Sequence, residues 1–517
     1  MWLWILGGVL FLLVAVTLYD LTQTRHAILR NFPIVGHFRY LLESVGPELR
    51  QYIVTNNDEE RPFSRDQRRW VYASAKNQNN YFGFGTDNDL EMAPNNLVIK
   101  PAVFPYPEPQ KGDEDYDALH PVACAKILGA ARGRKHAFRP ESVFYISAMS
   151  FGSLSGRAVE AINRGVGIAG GLHNTGEGGV SPHHDHGGPL IWQLGTGYFG
   201  ARDAQGNFSM EELLARVEQF PIKAIEIKLS QGAKPGRGGV LPAEKITPEI
   251  AAIRGIPMGK DCISPAGHTA FHDVNSMLDF VEAIAEATGL PVGIKSAVGE
   301  SAFWEDLADE MAKGERGVDF INIDGGEGGT GAAPLVFTDH VALPFKIAFS
   351  RIYHTFARRG LTDDIVFMGA GRLGFPEASL LAFAMGADMV GVAREAMMAI
   401  GCIQAQRCHT GHCPTGVATQ NKWLMRGLDP TDKAARLANY LVTLRKEVMW
   451  LTRAVGVAHP AEVHLEHFEI LDECFGSRSP REIFGYPTAH IEVPTSHKSP
   501  ADRAPAPGRE EPVAAEA

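Results

Sequence analysis

Long basic runs are missing from this sequence: 49 Lys and Arg face 60 Asp and Glu across 517 residues, a net charge of −11. With no cationic stripe to offset that balance, the composition argues against nucleic acid as the main partner. Cysteine is scarce, six in all, and three of the six, Cys402, Cys408 and Cys413, fall within twelve residues. Such crowding in a large chain is not a disulfide framework and points to metal in a reducing compartment. No G-x-G-x-x-G follows a strand-like run and opens a helix with an acidic residue downstream, so nicotinamide binding by this chain has no support. The one long apolar run, MWLWILGGVLFLLVAVTLYDL, lacks the basic n-region and the small-residue cleavage site of a secretory signal. It has about eighteen apolar positions before Asp20, close to the ~20 that span a bilayer. We therefore expect a single transmembrane anchor over 1–20, a buried core helix being the competing reading. Arg25, Arg30 and Arg39 follow it, and by the positive-inside tendency the body of the protein is expected in the cytoplasm.

Glycine is what the chain has in abundance, 55 residues in clusters. That suits a fold whose loops carry the function. Residues 21–140 are mixed and polar and read as a juxtamembrane and covering segment, helical in part. From Val143 short β-rich runs alternate with amphipathic stretches: VFYISAM, a segment ending at Leu172 to Asn174, LIWQLG, AIEIKL, PVGIKSAV, DFINID, DIVFMGA and DMVGVA. Eight βα units predict an α/β fold, a closed (β/α)8 TIM barrel over 141–425, with function at the C-terminal strand ends. A doubly wound open sheet is the competitor. Residues 426–493 read as a C-terminal helical extension, with Leu437, Tyr440, Leu441 and Leu444 on one face. The Pro, Ala, Glu and Arg rich stretch 494–517 reads as a disordered tail.

The unusual residues sit where the putative strands end. The seventh ends in Gly369, Ala370, Gly371 and Arg372, and the eighth in Gly391, Val392, Ala393 and Arg394, the pair of positions that hold a phosphate in many barrels. Tight turns with solvent-facing Arg would read the same way. Lys295 closes the fifth strand, as a flavin-facing cation or a core ion pair. Asp324, Gly325 and Gly326 open a glycine loop suited to lie against a flat ring, and Ala148, Met149 and Ser150 and then Asn174 end the first two strands. Lys228, Gln231 and Lys234 follow the fourth strand at intervals of three, an anion site suited to a carboxylate. The three clustered Cys can ligate an iron–sulfur cluster, three-iron for want of a fourth Cys, or zinc with His409 or His412. Cys124, Cys262 and Cys474 read as core or incidental, and His183, His184, Asp185 and His186 as a solvated or lid loop.

In this order, SAMSFGSLS, HNTGEGG, EIKLSQGAKPG, ISPAGHTAFHD, DGGEGGTGAAP and GCIQAQRCHTGHCPTGVATQ resemble the FMN domain of glutamate synthase, over residues from about 120 to 470. The short FMN-binding glutamate synthase family proteins are the nearest type. The resemblance implies FMN-dependent reductive amination of 2-oxoglutarate with ammonia to L-glutamate. It implies Lys228, Gln231 and Lys234 on substrate carboxylates, Glu177 orienting the substrate or ammonia, Lys228 and Lys295 beside the flavin, and a 3Fe-4S cluster on Cys402, Cys408 and Cys413. Electrons would come from ferredoxin or a separate reductase subunit. The chain opens on its apolar run and not on a nucleophilic Cys domain, so ammonia is expected free or from a separate glutaminase subunit. Tyr198 in TGYFG and Arg237 in KPGRGG depart from the large synthases, which carry Arg and an acidic residue there. They mark the substrate pocket as a place of difference. The alternatives are a related synthase, such as one making N-methylglutamate, and a membrane electron-transfer or redox-sensing flavoprotein.

Overall fold

The computed structural model of the chain describes residues 2–487 apart from 24, 55–59, 87, 91 and 92. The tail expected to be disordered lies outside the described residues. Eight parallel strands run β1 Phe144–Ile146, β2 Leu172–Asn174, β3 Leu190–Leu194, β4 Ile222–Lys228, β5 Val292–Ser296, β6 Phe320–Asp324, β7 Val366–Ala370 and β8 Met389–Val392. Each pairs with the next, and Val390 to Val392 of β8 pair back onto Phe144 to Ile146 of β1. The sheet is the closed barrel expected from the sequence, and the open sheet is excluded.

The strands are buried on both faces, Lys223 excepted, because a barrel wrapped in helices exposes neither. Ile146, Trp192, Ile225, Ile227, Ile321 and Val390 pack outward into the main core with the helices. Their neighbours Tyr145, Ile191, Ala224, Phe320 and Met389 form a separate inner cluster, as the period of two requires. Two strand glycines make room inside: a Cβ on Gly293 would lie 2.4 Å from Phe320 Cγ, and one on Gly391 would lie 2.7 Å from Tyr145 Oη.

The segment ahead of the barrel divides between its two ends. Residues 120–140 close the end where strands begin, with Cys124 and Leu128 joining the inner cluster. Lys126 Nζ donates to Asp388 Oδ2 at 2.8 Å and to the Ile365 carbonyl at 2.9 Å. Arg134 Nε donates to Asp319 Oδ2 at 3.0 Å and its Nη1 to Glu282 Oε2 at 2.6 Å, while Val292 N donates to the same Asp319 oxygen at 2.7 Å. Burial pushes the Asp319 carboxyl up, and Arg134 opposes that push. Removing Arg134 leaves the Asp319 charge buried without its main partner. Arg134→Met is therefore expected to lower stability by about 3 kcal/mol, read as an earlier midpoint of urea unfolding; an unchanged midpoint would show that the pair does not close this end.

At the other end, helix α1 Trp2–Thr22 and helix α2 Val35–Leu49 precede helix α3 Arg65–Ala75, which Ser64 opens with a capping box to Gln67. Helix α4 Gly156–Ala169 and the long helix α5 Pro430–Ala454 pack together, and α3 lies against α5, with Trp70 Nε1 donating to Glu447 at 2.9 Å. Leu437, Tyr440, Leu441 and Leu444 are the buried stripe of α5. Buried Arg445 caps α4 through the carbonyls of Ala169, at 2.7 Å, and Gly170, at 3.1 Å. The residues leading into α3, Arg61 to Phe63, lean over the C-terminal rim of the barrel.

Candidate active site

A cavity of about 650 Å³ opens on that rim. Ala148, Met149, Ser150, Glu177, Lys228, Gln231, Lys234, Lys295, Asp324, Gly371, Arg372, Gly391, Ala393, Arg394, Cys402, Cys408 and Cys413 all line it. Residues separated by more than 250 positions in sequence share one wall because the parallel strands all deliver their C-terminal ends here.

Four expected residues stand outside the lining. Asn174 lies one layer down, donating to Glu226 Oε1 at 2.8 Å and accepting from Gly176 N at 3.0 Å. Gly325 and Gly369 abut Phe345, whose atoms would meet a Cβ on either at 2.7 Å, and a Cβ on Gly326 would meet the Ala342 carbonyl oxygen at 2.8 Å. These three glycines let the sixth and seventh rim loops pack against each other. They serve the rim and do not face the cavity.

The cationic centre sits after β4. Lys228 Nζ is 3.0 Å from Glu177 Oε2 and donates to Gln231 Oε1 at 2.6 Å. Lys234, also buried, reaches the Gly238 carbonyl at 3.4 Å. Burial works against the Glu177 charge, but Lys228 first, then Lys234 and Arg254, hold that carboxyl below its usual range. One carboxylate among three cations leaves the site positive, an anion site with a hydrogen-bond acceptor at its centre.

The floor is polar, and its charged groups are paired. Glu226, wholly buried, accepts from the side-chain amides of Asn174, Gln193 at 2.6 Å and Asn322 at 2.7 Å. Lys295 Nζ lies 3.3 Å from Asp324 Oδ2, which also accepts from Gly232 N at 3.2 Å. Burial opposes the Lys295 charge, yet Asp324 and then Glu226 raise its pKa above the ordinary ammonium value. It is a fixed cation at the cavity floor.

Opposite, the seventh and eighth rim loops present guanidinium groups. Gly371 at φ +140° and Arg372 at φ +55° turn the chain, and Arg394 Nη2 donates to the Glu327 carbonyl at 2.5 Å. Arg372 Nε is buried with no hydrogen-bond partner among the described residues. Burial, then Arg394, moves the Arg372 pKa down from its ordinary value. The Phe63 ring lies against both, its centre 5.4 Å from the Arg372 guanidinium and 5.1 Å from that of Arg394. A buried N–H without a partner beside a second arginine is the donor set of a phosphate-sized anion.

At the third corner, burial drives the Cys402 thiol up to about 12 and raises Cys408, while Thr415, opposing burial, brings Cys413 below its usual value. Lys245 Nζ donates to the Cys408 carbonyl at 2.7 Å. Among the described residues, no three His, Cys, Asp or Glu converge on one metal ion.

Several features depart from the sequence reading. Tyr198 and Arg237 do not line the cavity. Tyr198 Oη accepts from Thr269 N and Ala270 N, each at 3.1 Å, and bonds His268 Nδ1 at 3.0 Å, while His268 Nε2 donates to the Lys228 carbonyl at 2.9 Å. It is a strut behind β4 that fixes where Lys228 stands. Arg237 lies over the Phe337 ring at 5.6 Å. In the expected solvated loop, His184 is buried, bonds Ser181 Oγ at 2.8 Å and the Met149 carbonyl at 3.1 Å, and is held near 4 by burial. It supports the first rim loop. Arg61, Phe63, Gln193, Lys245 and Arg254 line the cavity unforeseen, because no motif or period marked them.

The model of the conserved region in glutamate synthase matches residues 115–458. Over 481 residues the chain is 37% identical to the glutamate synthase large subunit-like protein YerD of Bacillus subtilis (strain 168), covering 87% of this chain and 90% of that protein. It is 38% identical over 318 residues to an archaeal glutamate synthase (NADPH) of Methanocaldococcus jannaschii, 60% of this chain and 58% of that protein. Against the glutamate synthase (NADPH) large chain of Bacillus subtilis it is 31% identical over 353 residues, 22% of that protein.

Proposed function

The chain belongs to the glutamate synthase family, and on that premise we propose that it is an FMN-dependent oxidoreductase that reductively aminates 2-oxoglutarate to L-glutamate. The observation that supports this most is a positive carboxylate site, a phosphate-type donor set and three cysteines on the wall of one cavity. Arg372, Arg394 and the turn at Gly371 would hold the FMN phosphate, with Ala148 to Ser150, Gly391 and Ala393 along the ring and Lys295 facing it. When bound, FMN supplies hydride to C2 of the imino acid. Lys228 and Lys234 pair the keto acid's carboxylates. Glu177, kept ionised by those lysines, accepts a hydrogen bond from the nitrogen and sets its approach. Phe63 and Pro62 roof the cavity and keep water from the reacting carbon.

Cys402, Cys408 and Cys413 would bind a 3Fe-4S cluster through which electrons enter. Thiols that share a wall without meeting at one point suit a cluster better than a single ion. Ferredoxin or a reductase subunit would supply the electrons, and free ammonia or a separate glutaminase subunit the nitrogen. α1 is long and apolar enough to cross a bilayer, and it would anchor the body on the cytoplasmic side.

Anaerobically reduced full-length protein should form L-glutamate from 2-oxoglutarate and ammonium, and none when either is left out. Product formation without ammonium would sink the assignment. Arg372→Ala removes the buried charged donor and should weaken FMN retention about tenfold to a hundredfold, measured by flavin released on dilution; unchanged retention would place the phosphate elsewhere.

A further inference from the structure

Helix α2 carries an apolar stripe that none of the described residues covers. Val35, Phe38, Leu42, Val45 and Leu49 recur at i, i+3, i+7, i+10 and i+14, and each is 39% exposed or more. Five large apolar side chains on one exposed face of a 15-residue helix are not what water-facing packing produces. Arg39, Glu43 and Glu48 lie off the stripe, so the helix is divided lengthwise into an apolar and a charged face.

The helix is also fixed to the apolar helix before it. Asp20, near the end of α1, is 2.9 Å from His37 Nε2 and accepts from Ile34 N at 2.9 Å. The connecting segment, which includes a short helix over Ala27–Asn31, exposes Phe32 and Ile34 and brings Arg25 and Arg30, cations suited to lipid phosphates. At its far end α2 meets the cysteine loop: Arg407 Nη2 donates to Glu48 Oε1 at 2.8 Å, and Gln51 Nε2 donates to the Gln404 carbonyl at 2.8 Å. His37 and Glu48 are separated by about 16 Å of helix.

We propose that α2 lies in the membrane interface with its stripe among the acyl chains, so that the bilayer is its partner and the cysteine end of the cavity is held against the membrane surface. The inference rests on α1 as a membrane span. Continuity chooses the bilayer over other occupants, because a stripe whose first turn is hydrogen-bonded to Asp20 at the end of the span meets lipid first.

The test uses the full-length chain in vesicles of phosphatidylcholine and phosphatidylglycerol whose acyl chains carry bromine either near the headgroup or deep. An environment-sensitive fluorescent amino acid replaces Val14, Leu42 or Glu43, one at a time. Shallow bromines should quench position 42 about twofold or more and more than deep ones do, with little effect at 43. Deep bromines should quench position 14. Quenching at 14 with none at 42 overturns the interfacial helix and keeps the span, the stripe then being covered by a second copy or another segment of the chain. Absence of quenching at 14 overturns the span itself. As a second variant, Leu42→Asp together with Val45→Asp should abolish quenching of a probe at Phe38 while the probe at 14 still reports the span; persistent quenching at 38 overturns the proposal.

Discussion

Replacing Lys228 with Met should lower kcat/KM for the keto acid by about a hundredfold to a thousandfold, the range expected when one partner of a buried charge pair is removed. Lys228 ends β4 with its ammonium buried between Glu177 and Gln231. Its loss removes a carboxylate partner and also frees Glu177, which then faces the cavity without its nearest cation, Lys234 and Arg254 being the next to hold its charge. The substrate carboxylate would meet a carboxylate where it had met an ammonium. KM should therefore rise along with the fall in kcat, and activity is expressed per bound flavin so that cofactor loss is counted separately. Lys228→Arg keeps the charge but not the reach of Nζ to Gln231, and should recover part of the loss. An effect of less than about threefold from Lys228→Met would mean that the carboxylate binds elsewhere.

The second large effect concerns iron. Cys413→Ala should reduce the iron of anaerobically purified protein from about three per chain to background, since a three-iron cluster with three thiolate ligands does not survive the loss of one. Cys474→Ser, at an exposed thiol far from the cavity wall, should leave the iron unchanged. The FMN of the Cys413 variant should still be reduced by a chemical reductant. Full iron in the Cys413 variant would remove the cluster from this site, and loss of iron in both variants would trace it to handling.

The barrel was legible because each strand shows its two faces: in AIEIKL the isoleucines Ile225 and Ile227 meet the helices, while Glu226 and Lys228 point inward. Motif reading finds which residues stand near a strand end but not at what height: Asn174 lies a layer below the cavity surface, bonded to Glu226, and Gly369 packs behind it against Phe345. Tyr198 was marked as a pocket residue because it differs within a motif. Its hydroxyl is consumed by two backbone amides and His268, a long-range arrangement that no local pattern encodes. Arg61 and Phe63 come from a stretch without periodicity, and only the folded chain brings them over Arg372 and Arg394. The segment 120–140, read as cover, closes the opposite end through Lys126 and Arg134, whose partners lie far downstream in the sequence.

The account turns on whether flavin, keto acid and ammonia react in one cavity. The direct measurement is the visible absorbance of anaerobic full-length protein, chemically reduced and then mixed with 2-oxoglutarate, with ammonium, or with both. Reoxidation of the flavin only with both present is the predicted result. A flavin that stays reduced with both present, or that is reoxidised by 2-oxoglutarate alone, would contradict it.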